Sequence, residues 1–327
     1  MDWKKKKVLI TGAGGFIGSH LTERLVELGA DVRALVHYNA LGSQGWLDSS
    51  DAKDRMEIIA GDICDRDCVM NVVKDREIVF HLAALIAIPY SYRSPASYIR
   101  TNIEGTVNVL QSARMFDVQR VIQTSTSEVY GTARYVPIDE AHPLQGQSPY
   151  SASKIGADKI AESFYHSFET PVVTVRPFNT FGPRQSTRAV IPTIITQLLS
   201  DKVVHLGNLD ATRDLNFVSN TVDGFVAAAE SQKAVGQTIN LGSNREISIQ
   251  KLAELIAEIS HKPLKIETDT ARLRPAGSEV ERLMAKNNLA LELLGWQPKV
   301  SLEQGLEITV KWIGDHLDRF HPGVYTI

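Results

Sequence analysis

The chain has 327 residues, of which 43% are hydrophobic and 22% are charged, as in an ordinary globular protein. Its net charge of −3 gives no electrostatic reason to bind nucleic acid or an anionic membrane surface. Two cysteines, Cys64 and Cys68, are too few for a disulfide framework or a tetrahedral zinc site, so we expect no bound metal. The longest apolar stretch, Ile78–Pro89, is too short to span a bilayer, and the amino-terminal lysine run leads into only three apolar residues. We therefore expect a cytoplasmic protein that does not enter a membrane.

A glycine-rich turn separates the first predicted strand, Val8–Ile10, from the first predicted helix, Phe16–Leu28. Such a turn lets backbone N–H groups approach a pyrophosphate closely, and the N-terminus of the helix adds its dipole. The glycines follow the spacing G-x-x-G-x-x-G rather than the commoner G-x-G-x-x-G, and a turn without a ligand is the alternative. We predict a dinucleotide site that includes Gly12, Gly15, Phe16, Ile17 and Gly18.

Strands and helices alternate along the first half of the chain. The apolar runs predict strands at Val8–Ile10, Val32–Val36, Met56–Ile59, Ile78–Leu82, Val121–Gln123 and Val172–Val175. The segments between them predict helices at Phe16–Leu28, Asp65–Val73, Ser97–Met115 and Ser151–Phe168. Continuous apolar strands are typical of a parallel sheet covered on both faces. We predict an α/β fold with a Rossmann-type doubly wound parallel sheet of at least six strands in residues 1–177, and a smaller α/β substrate lobe in residues 178–327, with some chain crossing between the two.

The end of the second strand bears on the choice of dinucleotide. An Asp or Glu at this point accepts hydrogen bonds from the ribose hydroxyls of NAD. Here the run LVHYN (35–39) contains no acid, and His37 could contact a 2′-phosphate, so the sequence slightly favours NADP over NAD. Asp62 and Ile63, just past the third strand, are placed to hold the adenine, although Asp62 could instead cap the next helix.

Tyr150 and Lys154 are one helical turn apart, so a phenol and an ammonium share one face of a helix. The ammonium, together with the positive nicotinamide ring, is expected to lower the pKa of the tyrosine. The phenolate could then accept the proton of a hydroxyl while hydride leaves the same carbon. A surface pair without chemistry is the alternative, but the glycine-rich turn upstream makes chance a poor explanation.

With these residues in place, the chain resembles the extended short-chain dehydrogenases/reductases that act on nucleotide sugars. The resemblance runs nearly end to end and is carried by Thr11–Gly18, Gly61-Asp62, His81–Ala84, Asn102–Thr106, Ser125–Gly131, Tyr150–Lys154, RPFNTFGPRQ (176–185) and Arg213-Asp214. It implies that Tyr150 is the catalytic base, that Lys154 holds the nicotinamide ribose and that Thr126 completes the triad. It also implies that the dinucleotide is bordered by Leu82, Ala83 and Ala84.

The run Ser125–Gly131 bears on the reaction. In the resembling enzymes, the residue at Thr126 holds the sugar 4-hydroxyl beside Tyr150. The 4,6-dehydratases carry an acid at position 128, because the C5 proton of the oxidised sugar must be removed, whereas 4-epimerases normally lack it. The resemblance makes Glu128 that base. Ser127 departs from the Asp of many dTDP-glucose dehydratases but is similar to GDP-mannose dehydratases, and UDP-glucuronate decarboxylases share the T-S-E-V-Y run.

A closer resemblance points to one subgroup. Dehydratases that act on nucleotide-linked N-acetylglucosamine in the legionaminic-acid pathway are similar at residues 81–92, 124–138, 146–154, 190–199 and 273–283. The implied mechanism begins as Tyr150 removes the O4 proton while the C4 hydride moves to NAD(P)⁺. Glu128 then removes the C5 proton as water leaves from C6, and the hydride returns to C6, so the cofactor stays tightly bound. Reprotonated Glu128, Ser127 or a water could protonate the departing hydroxyl, and UDP and GDP substrates both stay open.

The resemblance also assigns substrate contacts and a partner. Asn179 matches a position near the sugar-linked phosphate, and the positions that reach the diphosphate are Arg184, Arg213 and Arg274. For each arginine, a surface ion pair is the alternative. A homodimer is implied, in which the predicted helices Ser97–Met115 and Ser151–Phe168 form a four-helix bundle.

Three other functions are compatible with parts of the sequence. Two are enzymes of the same kind, a nucleotide-sugar 4-epimerase and a UDP-glucuronate decarboxylase. The third is of a different class, a catalytically silent dinucleotide sensor on the same fold. Such sensors commonly lose the Tyr-Lys pair, so the retention of Tyr150 and Lys154, with Thr126 and Glu128, argues against this alternative. The sequence favours a 4,6-dehydratase, which is a lyase.

Overall fold

The computed structural model describes the backbone of residues 1–324 and their side chains except that of Ala276. Six strands come from the first half of the chain: β1 (Lys7–Thr11), β2 (Asp31–His37), β3 (Glu57–Gly61), β4 (Ile78–His81), β5 (Arg120–Thr124) and β6 (Val172–Pro177). The later strands are β7 (Thr180–Phe181), β8 (Val204–Leu206), β9 (Thr212–Asp214), β10 (Asn216–Phe217), β11 (Thr238–Leu241), β12 (Glu246–Ser248) and β13 (Ile266–Thr268).

The central sheet has seven strands in the order β11-β6-β5-β4-β1-β2-β3, and every neighbouring pair is parallel. The order reverses beside β1, and this is the switch point at which open α/β sheets bind their ligands. Because parallel strands end at one edge, Thr11 of β1 stands opposite His81 of β4 at the carboxyl edge. The predicted Rossmann-type α/β fold is confirmed.

Helices cover both faces of this sheet. They are α1 (Phe16–Glu27), α2 (Arg66–Val73), α3 (Ile88–Arg93), α4 (Pro95–Tyr98), α5 (Gly105–Met115), α6 (Pro149–Phe168), α7 (Val190–Leu199), α8 (Val218–Glu230), α9 (Ile249–Ser260), α10 (Asn288–Leu294) and α11 (Leu302–Asp315). Val8 and Ile10 of β1 are buried in one hydrophobic core, whereas Leu9 between them is buried in the core on the opposite face. Burial on both faces explains why the strands read as continuous apolar runs.

One feature differs from the expectation. The predicted helix Ser97–Met115 is interrupted by a π-helical turn, Ile99–Glu104, between α4 and α5. Within this turn, the side-chain amide of Asn102 bonds to both backbone groups of Leu85 and to Ser153 Oγ, which ties the turn to α6.

The seventh strand of the sheet, β11, lies beyond residue 177 and pairs with β6. The chain therefore returns to the sheet from the second half, in keeping with the predicted sheet of at least six strands and the predicted chain crossing.

The structure bears in two ways on partners and ligands. No helix within residues 1–324 is long and apolar enough to cross a membrane. In the same described range, no group of three or more His, Cys, Asp or Glu side chains is arranged to hold a metal ion.

Gly18 tests how the first turn depends on backbone contact. A Cβ at this position would collide with the carbonyl oxygen of Gly12, so the turn and α1 could not pack as they do. We predict that Gly18→Ala lowers the free energy of unfolding by about 1 to 3 kcal/mol, as overpacking does, and weakens dinucleotide binding. The control is Gly277→Ala, where a Cβ meets nothing within 4 Å. Denaturant titration and dinucleotide binding measure both variants, and equal stability of the two would contradict the prediction.

Candidate active site

The glycine-rich turn brings the backbone of two strands together at the carboxyl edge. Gly12 has a φ of +71°, and a Cβ there would lie 2.8 Å from the amide nitrogen of Ala83. Gly15 is the N-cap of α1 and offers no side chain to the first amides of the helix, whose first turn contains no acid. Free amides, a helix dipole and open backbone suit a pyrophosphate. The residues present therefore fit a dinucleotide.

A hydrogen-bond chain through His81 supports the same edge. Thr106 Oγ1 donates to the carbonyl of Asn102 at 2.7 Å, so it accepts from His81 Nε2, 3.2 Å away. His81 Nδ1 is then an acceptor for the hydroxyl of Thr11 at 2.8 Å. The bonds thus define a neutral imidazole with its proton on Nε2.

The hydroxyl of Thr11 continues this chain to the loop after β4. With its proton directed at His81, Thr11 Oγ1 accepts from the amides of Leu82 at 3.2 Å and Ala83 at 3.1 Å. These amides belong to the segment Leu82–Ala84, which is predicted to border the dinucleotide. The chain thus positions that segment relative to the glycine-rich turn.

The residues predicted to contact the adenosine lie at the end of β2 and on the loop after β3. Asp62 Oδ1 accepts from the amide of Cys64 at 2.9 Å, and α2 is capped instead by Asp65, so the alternative role of Asp62 as N-cap is wrong. Ile63 is buried against Gly105. His37 is exposed at the end of β2.

An acid lies closer to the loop after β2 than the sequence order suggests. Asp48 Oδ2 accepts from Ser43 Oγ at 2.8 Å and from the amide of Gln44 at 3.1 Å. The carbonyl of Gln44 in turn packs against Gly14 of the glycine-rich turn. The carboxylate of Asp48 therefore lies next to the loop that follows β2. A search for an acid at the end of the strand alone could not have found it.

Tyr150 and Lys154 lie on the first turns of α6 and are both buried. Ser148 and Ser151 form a reciprocal capping box, with Pro149 at the first position, which makes α6 begin beside the site. Thr126 Oγ1 accepts from the amide of Glu128 at 3.2 Å, and the Thr126 side chain is close enough to Tyr150 to lower the pKa of its phenol. Thr126 and Tyr150 therefore meet at one point, where a sugar hydroxyl could be held between them.

Burial controls the protonation of this pair. It raises the pKa of Tyr150, and the charge of Glu128 raises it further, against the hydrogen bond from Thr126. Lys154 Nζ donates to the carbonyl of Thr124 at 2.6 Å, and burial lowers its pKa to about 8 although Asp158 opposes this shift. In the protein alone, desolvation therefore dominates the pKa of Tyr150, and the lowering expected from the ammonium together with the nicotinamide ring stays a prediction for the dinucleotide-loaded protein.

Glu128 lies among the arginines predicted to reach the diphosphate. Its Oε2 is 3.4 Å from Nη1 of Arg274, and its charge also acts on Arg213. Arg213 Nη1 donates to the carbonyl of Thr212 at 2.9 Å, while its Nη2 is 3.6 Å from Oε1 of Glu279. The structure thus brings Glu128 together with two of the three predicted arginines.

Arg184 lies elsewhere. Its guanidinium forms two bonds of 2.9 Å to the carboxylate of Glu23 on α1, so the ion pair considered as the alternative is the contact that is present. Asn179 Nδ2 donates to the carbonyl of Asp214 at 3.3 Å, next to Arg213 in sequence. Ser127 is buried, with 2% of its surface exposed.

Sequence reasoning missed several residues around the site. Tyr98 packs edge-on against Tyr150, with ring centroids 6.2 Å apart. Asp158 lies one helical turn beyond Lys154, and the guanidinium of Arg176 donates to its Oδ2 at 2.9 and 3.1 Å. The four-residue spacing from Lys154 was the signal that could have revealed Asp158, whereas Tyr98 reaches the site from another helix.

The site thus combines a glycine-rich turn at the switch point of the sheet with a buried Tyr-Lys pair and an acid beside two arginines. A family model described as GDP-mannose 4,6 dehydratase matches residues 9–309. The chain belongs to this family of NAD-dependent enzymes, which modify nucleotide sugars.

Curated and solved relatives cover almost the whole chain. A UDP-glucose 4-epimerase from Mycolicibacterium smegmatis is 33% identical over 94% of this chain and 98% of its own length. A UDP-N-acetyl-α-D-glucosaminuronate decarboxylase from Bacillus cytotoxicus is also 33% identical, over 94% of this chain and 98% of its own. The solved structure of a dTDP-glucose 4,6-dehydratase double mutant from Streptomyces venezuelae, with NAD bound, superimposes with a TM-score of 0.88 at 26% identity, covering 96% and 98% of the two chains. Relatives with three different reactions thus share this fold.

His81 predicts how stability depends on pH. Burial lowers its pKa from 6.5 to about 3, so the unfolded chain binds a proton between these values while the folded chain does not. The free energy of unfolding should therefore fall as the pH drops, by about 2 kcal/mol between pH 6.5 and 5. His81→Asn should reduce this slope, the remainder coming from groups such as His20, whose pKa burial also lowers, and the exposed His321→Gln should keep the full slope. Denaturant titrations across this range measure all three proteins, and an equal slope in His81→Asn and His321→Gln would contradict the prediction.

Proposed function

We propose that the protein is a nucleotide-sugar 4,6-dehydratase that converts UDP- or GDP-N-acetylglucosamine to the 4-keto-6-deoxy sugar nucleotide. The observation that carries this proposal is the position of Glu128, two residues beyond Thr126 and close enough to act on the pKa of Tyr150. A phenol and a carboxylate near each other can act on adjacent carbons of one hexose. The resemblance to legionaminic-acid enzymes supports a role at the first step of a nonulosonate pathway in the cytoplasm.

In the proposed reaction, the dinucleotide supplies a reversible oxidation at C4 of the sugar. A bound, positively charged nicotinamide would lower the pKa of Tyr150, and the phenolate would then accept the proton of the 4-hydroxyl beside Thr126. The resulting 4-ketone makes the C5 proton acidic, and the carboxylate of Glu128 removes it while the C6 hydroxyl leaves as water. The hydride taken from C4 would return to C6 and a proton to C5, which completes the 4-keto-6-deoxy sugar. Burial excludes bulk water from Tyr150 and Lys154, so charges at this pair act at low dielectric.

The group that protonates the departing hydroxyl is the next question. Glu128 carries the proton from C5 and can deliver it to the hydroxyl on C6. Ser127 is the second candidate, but its burial within the turn that carries Glu128 favours the carboxylate.

Two further inferences, on the dinucleotide and on the oligomeric state, extend the proposal. The missing acid at the end of β2 favours NADP, while Asp48 beside the following loop and the NAD in a solved relative favour NAD. A homodimer through α6 and the helical segment 95–115 is supported by apolar side chains exposed on these helices, namely Ile99, Met115 and Phe168.

Product mass separates the candidate reactions. The purified protein is incubated separately with UDP- and GDP-N-acetylglucosamine, and with UDP-glucuronate, in the presence of NAD or NADP. We expect loss of one water from an N-acetylglucosamine nucleotide. An unchanged mass with a new epimer would establish the 4-epimerase, and loss of carbon dioxide from UDP-glucuronate would establish the decarboxylase. A Tyr150→Phe variant that keeps the protein's role in cells would establish the sensor.

Glu128→Gln tests the assigned base. The amide keeps the shape of the side chain but cannot take the C5 proton, so C4 oxidation should proceed and elimination should stall. We expect turnover to fall by about 100- to 10,000-fold, the usual contribution of a general base. Absorbance of the reduced nicotinamide should accumulate in the variant after a single addition of substrate. The exposed Glu258→Gln on α9 is the control, and normal turnover of Glu128→Gln would refute the role.

A further inference from the structure

Two ion pairs of opposite polarity join the segment 269–283 to the rest of the site. Arg274 of this segment faces Glu128, with 3.4 Å between Nη1 and Oε2. Glu279 of the same segment faces Arg213, with 3.6 Å between Oε1 and Nη2. Each pair takes one member from the segment and one from the scaffold formed by the turn after β5 and by β9. The segment therefore contributes the cation to one pair and the anion to the other.

Both pairs are looser than the pairs that Arg184 forms with Glu23 and Arg176 forms with Asp158. Charge-assisted N–H···O bonds usually measure about 2.7 to 2.9 Å. Arg184 meets Glu23 through two bonds of 2.9 Å, and Arg176 meets Asp158 at 2.9 and 3.1 Å. Arg213 and Arg274 are thus held near a carboxylate without the short paired geometry that satisfies Arg184 and Arg176. Such contacts can be exchanged at low cost for a ligand with better geometry.

The two arginines and two glutamates of these ion pairs have a net charge of zero, although the site is expected to bind a strongly anionic diphosphate. A cleft of about 460 Å³ is lined by Arg274 and Glu279, together with Gly207, Asn208, Leu209, Asp210, Gln250, Thr268 and Leu273. A diphosphate that entered this cleft would be attracted by Arg274 and repelled by Asp210 and Glu279, while Arg213 does not line the cleft itself but is paired with Glu279, which does. The carboxylate must therefore leave Arg213 before the phosphate can use it.

We propose that Glu279 is a placeholder for the diphosphate: it occupies Arg213 in the free protein and is displaced when a nucleoside diphosphate bridges Arg213 and Arg274. This inference rests on the proposed function, because it requires a nucleotide at this cleft. The bridging phosphates keep the segment docked, since they join a scaffold arginine to a segment arginine just as the two ion pairs do. Glu279 is then a residue that sets affinity and selectivity.

The exchange has a consequence for Glu128. When Arg274 turns to the diphosphate, Glu128 loses the ion-pair partner that occupies it beside Tyr150. The base is therefore released only when a nucleotide occupies the cleft. A monophosphate can replace one of the two ion pairs but not both, so the site discriminates in favour of diphosphates.

The test compares nucleotide binding to Glu279→Gln and to the unmodified protein. Calorimetry measures the dissociation constants of UDP, GDP, UMP and GMP with the dinucleotide-loaded proteins. We expect the diphosphate that binds to bind about tenfold more tightly to Glu279→Gln, because a partly exposed ion pair no longer competes for Arg213. The monophosphate should also gain affinity, so that the preference for diphosphate narrows.

Two features of the design separate this role from a structural one. The segment is anchored independently of the Glu279 carboxylate, since Thr132 Oγ1 donates to the carbonyl of Glu279 at 3.1 Å and the hydroxyls of Tyr92 and Ser278 are 2.5 Å apart. Loss of a structural contact would weaken binding, whereas the placeholder predicts a gain. The control Glu281→Gln removes the same charge from an exposed position two residues away and should leave the affinity unchanged.

The outcomes are distinguishable. Unchanged or weaker diphosphate binding by Glu279→Gln, with normal binding by the unmodified protein, would overturn the placeholder and leave the proposed function intact. An equal gain in Glu281→Gln would also overturn it, because the effect would then come from net charge. Failure of the unmodified protein to bind either UDP or GDP would overturn the proposed function, and the placeholder with it.

Discussion

The site depends on an ammonium that is buried at the carboxyl edge of the sheet. Lys154 lies in a low-dielectric environment that favours its neutral form, yet its proposed role requires a positive charge. The carboxylate of Asp158, one turn further along α6, is the group that opposes this shift. The carbonyl of Thr124, the last residue of β5, receives its hydrogen bond. The end of β5 and the helix α6 must therefore keep their relative positions for Lys154 to remain charged.

The carboxylate that supports Lys154 is itself held by a buried network. Ser125 Oγ donates to Asp158 at 2.7 Å, and Arg176 of β6 donates to Asp158 and to the hydroxyl of Tyr130. Tyr130 in turn donates to Asn240 of β11 at 2.8 Å. Removing one partner of such a buried pair leaves an uncompensated charge, which costs far more than the net contribution of the pair. The strand contributed by the second half of the chain thus takes part in positioning the catalytic helix.

Much of the fold could be predicted because its signals are local. A strand buried on both faces reads as an apolar run, and the glycine turn is legible since close backbone contacts leave no room for a Cβ, as at Gly12 and Gly18. The strand β11 could not be placed, because a four-residue run after a long interval does not show which strand it pairs with. The π-helical turn at Asn102 was also invisible, since it depends on contacts with Leu85 and Ser153 that are distant in sequence.

For the site, the types of residue could be predicted from the sequence, whereas their pKa shifts and ion-pair partners could not. The Tyr-Lys spacing placed both groups on one helix face, but the direction of the tyrosine pKa depends on desolvation, which no spacing reveals. Arg184 and Arg213 were alike as sequence candidates, yet one pairs tightly with Glu23 and the other faces Glu279 loosely. Their difference arises from tertiary partners more than 60 residues away in the chain.

We propose that the phenol of Tyr150 and the carboxylate of Glu128 act in turn on one bound hexose. The most direct test follows the hydrogen on C4 of the sugar. Substrate labelled with deuterium at C4 is incubated with the enzyme, and NMR locates the label in the product. The account predicts that the deuterium appears at C6 of the 4-keto-6-deoxy sugar. Deuterium that remains at C4, or is lost to an external acceptor, would contradict it.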